Sequence, residues 1–325
     1  MKSTTFNLKS FLNKYTLEII LLIIFIALTI MSPGFLTPGN LLNILRNISL
    51  QGVIAFGMTM VIIAGEIDLS IGSTVGLTGV IIALTTGLLA KLGIPMNYGV
   101  LAGIALSIIV SIIIGLFNGW LLTYFKMPSF IITLGMMAVL FGVAAVLSKG
   151  FPVTTLPEWY NKIGAGQIFS IPIPAIILLI IFAIVYIIMN HTKFGRSVYA
   201  VGGNPEAARL SGINVKRVKL TVMVYVQVLA ALGGIIVSSQ VMAGSQTFGR
   251  GWELIVISSV IIGGVSLFGG IGRVWGTLIG LIFLGVIING MTLLNINEYI
   301  QYIVRGSLII VAVLINALQV KTTKK

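Results

Sequence analysis

Apolar blocks of about 20 residues follow one another along the chain, separated by short polar interruptions. That length is what a helix needs to cross the hydrocarbon core of a bilayer. The blocks predict helical spans over about 17–31, 41–64, 71–90, 98–123, 129–148, 173–189, 220–239, 254–268, 274–294 and 299–319. The early interruptions are brief: a turn at Pro33 and Pro38, a loop over 91–95, and another at 124–128. A longer stretch, 149–170, contains Pro152, Pro157, Glu158, Trp159 and Lys162, the content of an interfacial loop. No polar segment is long enough for a soluble domain. The expectation is an all-α, polytopic membrane protein of about ten transmembrane helices, with 1–325 forming a single domain.

Composition agrees. Charged residues are 8% and hydrophobic residues 58% of the chain, with mean hydropathy +1.13, whereas soluble domains carry roughly 25% charge. The net charge of +13 does not point to nucleic acid, because the basic residues are scattered among loops without interleaved aromatics. Lys2, Lys9 and Lys14 precede the first block as in a signal peptide, but no small-x-small cleavage site follows. An uncleaved span with its N-terminus inside is therefore predicted. Ten spans then put the 191–219 loop and the C-terminal tail inside, together with 14 of the 20 Lys and Arg, as the positive-inside rule requires.

The 191–219 loop contains a short helix with both ends marked. Asn204 is a good N-cap, and Pro205 suits the first helical position. Glu206 complements the positive end of the dipole, with Arg209 one turn on. Gly212 can take the left-handed conformation that stops a helix. A helix this short is unstable alone in water and needs a surface to rest on, so it reads either as a docking element or as one turn in a basic loop.

The run from Tyr199 to Ile213, Tyr-Ala-Val-Gly-Gly-Asn-Pro-Glu-Ala-Ala-Arg-Leu-Ser-Gly-Ile, resembles the cytoplasmic loop of ribose-type importer permeases of the ATP-binding-cassette class. They belong to the wider branched-chain amino acid, ribose and nucleoside permease group. In that family the loop carries the coupling helix seated in a groove of the ATPase, which would make Gly203, Asn204, Pro205, Glu206, Ala207, Arg209, Leu210 and Gly212 ATPase-coupling residues here. The run Gly65-Glu-Ile-Asp-Leu-Ser-Ile-Gly-Ser73 is similar to the family's Gly-Gly-Ile-Asp-Leu-Ser-Val-Gly-Ser, departing at Glu66, which leaves the local backbone geometry open. Residues 263–280 resemble its glycine-rich turn between the eighth and ninth spans. Many relatives have Asp where this chain has Ile255, so whatever that Asp does is not carried over. The resemblance implies a homodimeric permease in a bacterial plasma membrane, a twin-cassette ATPase, and an extracellular sugar-binding protein. It also implies transport by alternating access.

Glu66 and Asp68 are two of seven acidic residues and lie between strongly apolar runs. A charge at membrane depth is costly, which makes Glu66, Asp68 and Ser70 candidates for the translocation pathway; an interfacial turn capping the third span is the alternative. Gly72 and Gly76, like Gly272, Gly276 and Gly280, fall at four-residue spacing, which lets helices approach closely in lipid. The acidic turns at 64–70 and 249–255 would lie on opposite sides, the arrangement of an inverted five-helix repeat. The chain has no cysteine, one histidine (His191) and no Gly-Lys dipeptide. Thiolate metal sites, disulfides and a Walker A loop are thus excluded. We expect no enzymatic activity and no cofactor, with ATP bound by the partner. Nucleosides, other sugars or a furanosyl signal remain open as substrates. An ion-coupled secondary transporter using Glu66 and Asp68 is the rival from another class.

Overall fold

The computed structural model describes residues 16–323; the predicted positive charges at Lys2, Lys9, Lys14, Lys324 and Lys325 lie outside them. In order come α1 (Thr16–Met31), α2 (Pro38–Ile63), α3 (Ile71–Lys91), α4 (Met96–Tyr124), α5 (Ser129–Ser148) and α6 (Asn161–Ala165). A hairpin of β1 (Gln167–Ile168) and β2 (Ile171–Pro172) follows. The remainder comprises α7 (Ile173–His191), α8 (Lys193–Gly203), α9 (Pro205–Leu210), α10 (Val215–Val241), α11 (Trp252–Ile262), α12 (Val274–Leu293) and α13 (Glu298–Thr323). Among the described residues, seven helices are long and apolar enough to cross a membrane: α2, α3, α4, α5, α7, α10 and α12. The protein is an all-α, multi-pass membrane protein, apart from one hairpin whose two-residue turn puts Phe169 and Ser170 at positive φ.

Helix α2 is the hub. Thr37 caps it, Pro38 opens it, and nearly every residue from Ser49 to Ile63 is buried. A helix that is apolar all round must be enclosed by others, and α2 packs against α7, α10, α11 and α12. Helix α10 lies beside it and also packs on α3 and α4.

These helices approach closely where side chains are missing. A Cβ on Gly115 would lie 2.6 Å from the Val224 Cα, and one on Gly103 would lie 2.8 Å from the Ile82 Cα. Gly276 and Gly280 of α12 rest against the Gly263 and Ser259 carbonyls at the end of α11. Gly272 precedes α12 and packs on the Val265 side chain. Gly72 and Gly76 have a different partner from the expected helix. They meet irregular backbone at Gly249, Gln246 and Phe248.

The main departure from the predicted spans is the helix that follows that backbone. Apolar residues run from 254 to 268, yet α11 stops at Ile262 and a turn over 263–273 follows. At 1.5 Å per residue, 11 residues cover about 16 Å, half of a hydrocarbon core. The ten residues 242–251 between α10 and α11 instead fold back along α3. The pair Gly263-Gly264 accounts for the early stop: Gly264 takes φ +85, and the Val265 amide turns back to the Val260 carbonyl. The long polar stretch over 149–170 is also more ordered than an interfacial loop. Tyr160 is fully buried, its hydroxyl bonded to the Ser238 hydroxyl and the Ile235 carbonyl.

Gly115→Leu should drive a side chain into the α10 backbone, costing about 1–3 kcal/mol or more. It should visibly lower the melting temperature in detergent-solubilised protein followed by size-exclusion chromatography. Unchanged melting would mean that α4 and α10 are not held at this distance.

Candidate functional site

The short helix predicted at 204–212 is α9. The Asn204 Oδ1 accepts from the Glu206 and Ala207 amides at 3.0 Å each, satisfying two of the helix's free donors. Gly212 takes φ +84 and ends it. Glu206 and Arg209 form an ion pair at 2.5 Å on the outer surface. The Arg209 guanidinium holds the Glu206 carboxyl below the usual carboxylate range. The pair therefore contributes above the ordinary carboxylate pKa and is lost as pH falls through the lowered one. Ala208 is the only buried residue of α9, whereas Leu210 is 75% exposed.

Helix α8 was not evident in the sequence, where 193–203 reads as basic loop. Thr192 caps it by accepting from the Gly195 amide, and Val198 and Val201 face inward. The amphipathic pattern in Lys-Phe-Gly-Arg-Ser-Val-Tyr-Ala-Val was the available signal. Tyr199 donates to the Gly272 carbonyl at 3.0 Å. Gly202 lies directly on the Ile63 carbonyl, and that same oxygen accepts from the Gly270 amide at 2.8 Å. Gly203 packs against Gly270. The end of α2, the platform under α9 and the 263–273 turn are thus fastened at one point.

The turn between α2 and α3 contains Glu66, Asp68 and Ser70. Gly65 supplies the positive φ of +81, and Glu66 has ordinary backbone geometry, which is why the departure from Gly is accommodated there. The Glu66 Oε1 pairs with the Lys219 Nζ on α10 at 2.5 Å. Asp68 is completely buried. Its Oδ1 accepts from the Ser70 amide at 2.8 Å and the Ser70 hydroxyl at 2.6 Å, and its Oδ2 accepts from the Gln227 Nε2 at 2.7 Å. The Thr74 hydroxyl donates to the Gln227 Oε1 at 2.5 Å, and the Asn118 amide reaches the Ser70 hydroxyl at 3.4 Å. Ser129 Oγ accepts from the Ile67 amide at 3.2 Å. The turn is therefore bonded to α4, α5 and α10 at once. Sequence reasoning missed Gln227 and Asn118; the signal was an amide side chain inside each otherwise apolar block.

Among the described residues, no group of three His, Cys, Asp or Glu could hold a metal ion. A cavity of about 310 Å³ lies between α3, α5 and residues 246–253.

Residues 40–313 match the family described as "Branched-chain amino acid transport system / permease component". The chain is 41% identical over 298 residues to the ribose import permease protein RbsC of Bacillus subtilis, covering 91% of this chain and 90% of that one. It is 38% identical to RbsC of Escherichia coli K12 over 95% of both chains. To the L-arabinose transport system permease protein AraH of the same strain it is 33% identical, over 99% of this chain and 95% of that one. No solved structure gives a significant match.

Gln227→Leu should leave the Asp68 carboxylate without one of its donors and cost about 1–3 kcal/mol or more. Combined with Asp68→Leu, the two losses should be markedly less than additive in thermal melting. Additive losses would mean the two side chains do not interact.

Proposed function

Because the chain belongs to the branched-chain amino acid transport system permease family, we propose that it is the membrane-spanning subunit of an ATP-binding-cassette importer for a monosaccharide, with ribose first among candidates. The supporting relatives are named for ribose and L-arabinose import. The chain crosses a bacterial plasma membrane ten times, by α1 to α5, α7, α10, α12, α13 and one broken crossing made of residues 242–251 with the half-length α11, with both termini and α9 on the cytoplasmic side. It works as a homodimer with a twin-cassette ATPase and an extracellular sugar-binding protein. ATP binds to the partner, and this chain needs no cofactor.

The observation that carries the coupling role is the exposure of α9. Six residues cover about 9 Å, too short a helix to persist alone. Asn204 and Gly212 nevertheless hold it formed, with its Glu206–Arg209 pair and Leu210 turned outward. A groove on the ATPase would cover this surface. Nucleotide-driven closure would push on α9, and α8 would pass the displacement to the end of α2 and the 263–273 turn through Gly202 and Gly270. Rocking the two permease copies would open the pathway alternately to each side. A rival ion-coupled mechanism requires a carboxylate able to take up an ion. Glu66 is already paired with Lys219, and Asp68 accepts three hydrogen bonds, so the turn is better suited to fastening α3 in place. The order α2–α5 and α10–α13 is consistent with an inverted repeat.

The test is labelled-ribose uptake into vesicles containing this chain, with and without the ATPase and binding protein. Uptake only with both partners and ATP is expected; uptake by the chain alone under an ion gradient overturns the proposal. Glu206→Arg should leave the permease folded, since the residue is exposed. It should reduce ATPase co-purification at least about tenfold, as loss of a central interface contact does. Unchanged co-purification would remove α9 from the coupling interface.

A further inference from the structure

The cavity between α3 and α5 is not needed for docking the ATPase, and its chemistry is specific. Its polar lining comes from Ser73, Gln246, Arg250 and Glu253, and its apolar lining from Phe141, Phe248 and their neighbours. The wall formed by 242–251 is not a helix; it carries only isolated turns and one bridge to Val153. Irregular backbone within a membrane protein is tolerated where it is buried in protein or lines a watery cavity. Here it does both. The carbonyls of Gln246, Phe248 and Gly249 lie against the bare faces of Gly76 and Gly72, while the side chains of Gln246, Phe248 and Arg250 reach the cavity.

The wall is also braced. The Gln246 Nε2 donates to the Gly150 carbonyl at 3.1 Å, and its Oε1 accepts from the Ser148 hydroxyl at 3.1 Å. Ser73 donates to the Met137 carbonyl at 2.8 Å, which ties α3 to α5 and leaves the hydroxyl oxygen free to accept. Glu253 is in the first turn of the half-length helix α11, with its Oε2 beside Gly72. Gln246 and Ser73 are therefore held in fixed directions at the cavity wall.

Size and charge define the occupant. At about 30 Å³ per water in the liquid, 310 Å³ corresponds to about ten waters, room for one monosaccharide ring with part of its hydration. One guanidinium and one carboxylate share the lining. An anion or a cation would meet a like charge there, whereas a neutral solute with adjacent hydroxyls can accept from Arg250 and donate to Glu253. Phe141 and Phe248 suit the C–H face of a sugar ring. Pockets that bind small molecules combine these features: a mostly apolar lining and a few fixed polar groups.

We propose that this cavity is a transit site for a neutral, polyhydroxylated solute, in which Arg250 and Glu253 hold neighbouring hydroxyls and Phe248 forms the apolar wall. The assignment rests on the sugar-import reading above and gives it a location in each permease copy. It places selectivity among sugars partly in this chain.

The test uses the assembled importer in proteoliposomes, with permease, ATPase and binding protein present, and labelled ribose and L-arabinose as probes. Glu253→Gln, by removing the acceptor of a hydroxyl, and Phe248→Ala, by removing the apolar wall, should each reduce ribose uptake at least about tenfold. They should also alter the ribose-to-arabinose ratio, while ATP hydrolysis stimulated by the loaded binding protein persists. Because the chain has no native cysteine, Ser73→Cys gives an independent reading. Modification of the introduced thiol by a small hydrophilic reagent should be slowed by ribose during turnover. Equal uptake and an unchanged ratio in both variants, or an introduced thiol that ribose does not protect while wild type transports it, overturns the site alone. Failure of the wild-type complex to move either sugar overturns the import reading and the site with it.

Discussion

Three parts of the chain converge on one carbonyl oxygen, that of Ile63 at the end of α2. It accepts from the Gly270 amide, and Gly202 covers it from the α8 side. The last carbonyls of a helix have no partner within it, so each must be satisfied from outside or left in water. Here the partner comes from a turn more than 200 residues further on, and only residues without side chains fit around the contact. The placement of α8, the height of α9 above the bundle and the path of the 263–273 turn depend on that constraint. Because α2 is buried along its second half and packs on α7, α10, α11 and α12, displacement of its end would be felt through the core.

A second fastening lies one turn of chain away. The Asp68 network joins the α2–α3 turn to α4 and α10, and the Glu66–Lys219 pair joins it to the start of α10. A buried charge is tolerated only when its partners are complete, and Asp68 has three donors. This arrangement gives a rigid base on which α3 stands. The opposite side of α3, with Gly72 and Gly76, is left bare for chain that is not helical. One helix therefore carries a locked polar foot and a face able to receive irregular backbone.

Much of this was legible in the sequence. The α9 caps were readable because Asn, Pro and Gly act locally, and the boundaries of α3, α5 and α12 followed from hydrophobic length against flanking Pro, Gly or charge. Tertiary effects hid the rest. The predicted spans leave 242–251 between helices, but nothing local says that it packs on the bare glycine face of α3 about 170 residues earlier. The early end of α11 was masked because Val265, Leu267 and Phe268 continue the apolar run. The four-residue glycine spacing announced a close approach without saying that the partner of Gly72 and Gly76 would be irregular chain rather than a helix. Glu66 looked like a departure from pattern, and Lys219, its counterpart, is not visible from any neighbouring residue.

The half-length of α11 has a consequence for biogenesis. A helix of 11 residues that includes Glu253, Ser258 and Ser259, preceded by a stretch containing Gln246, Thr247 and Arg250, is too short to partition into lipid by itself as a spanning helix. Its preceding backbone would enter the bilayer with amides and carbonyls unpaired. The receiving face on α3 is synthesised long before it. During synthesis α11 can therefore enter the membrane as a guest of protein already present. The order in which the helices emerge then suits the architecture: the glycine face of α3 is made before the segment that packs on it.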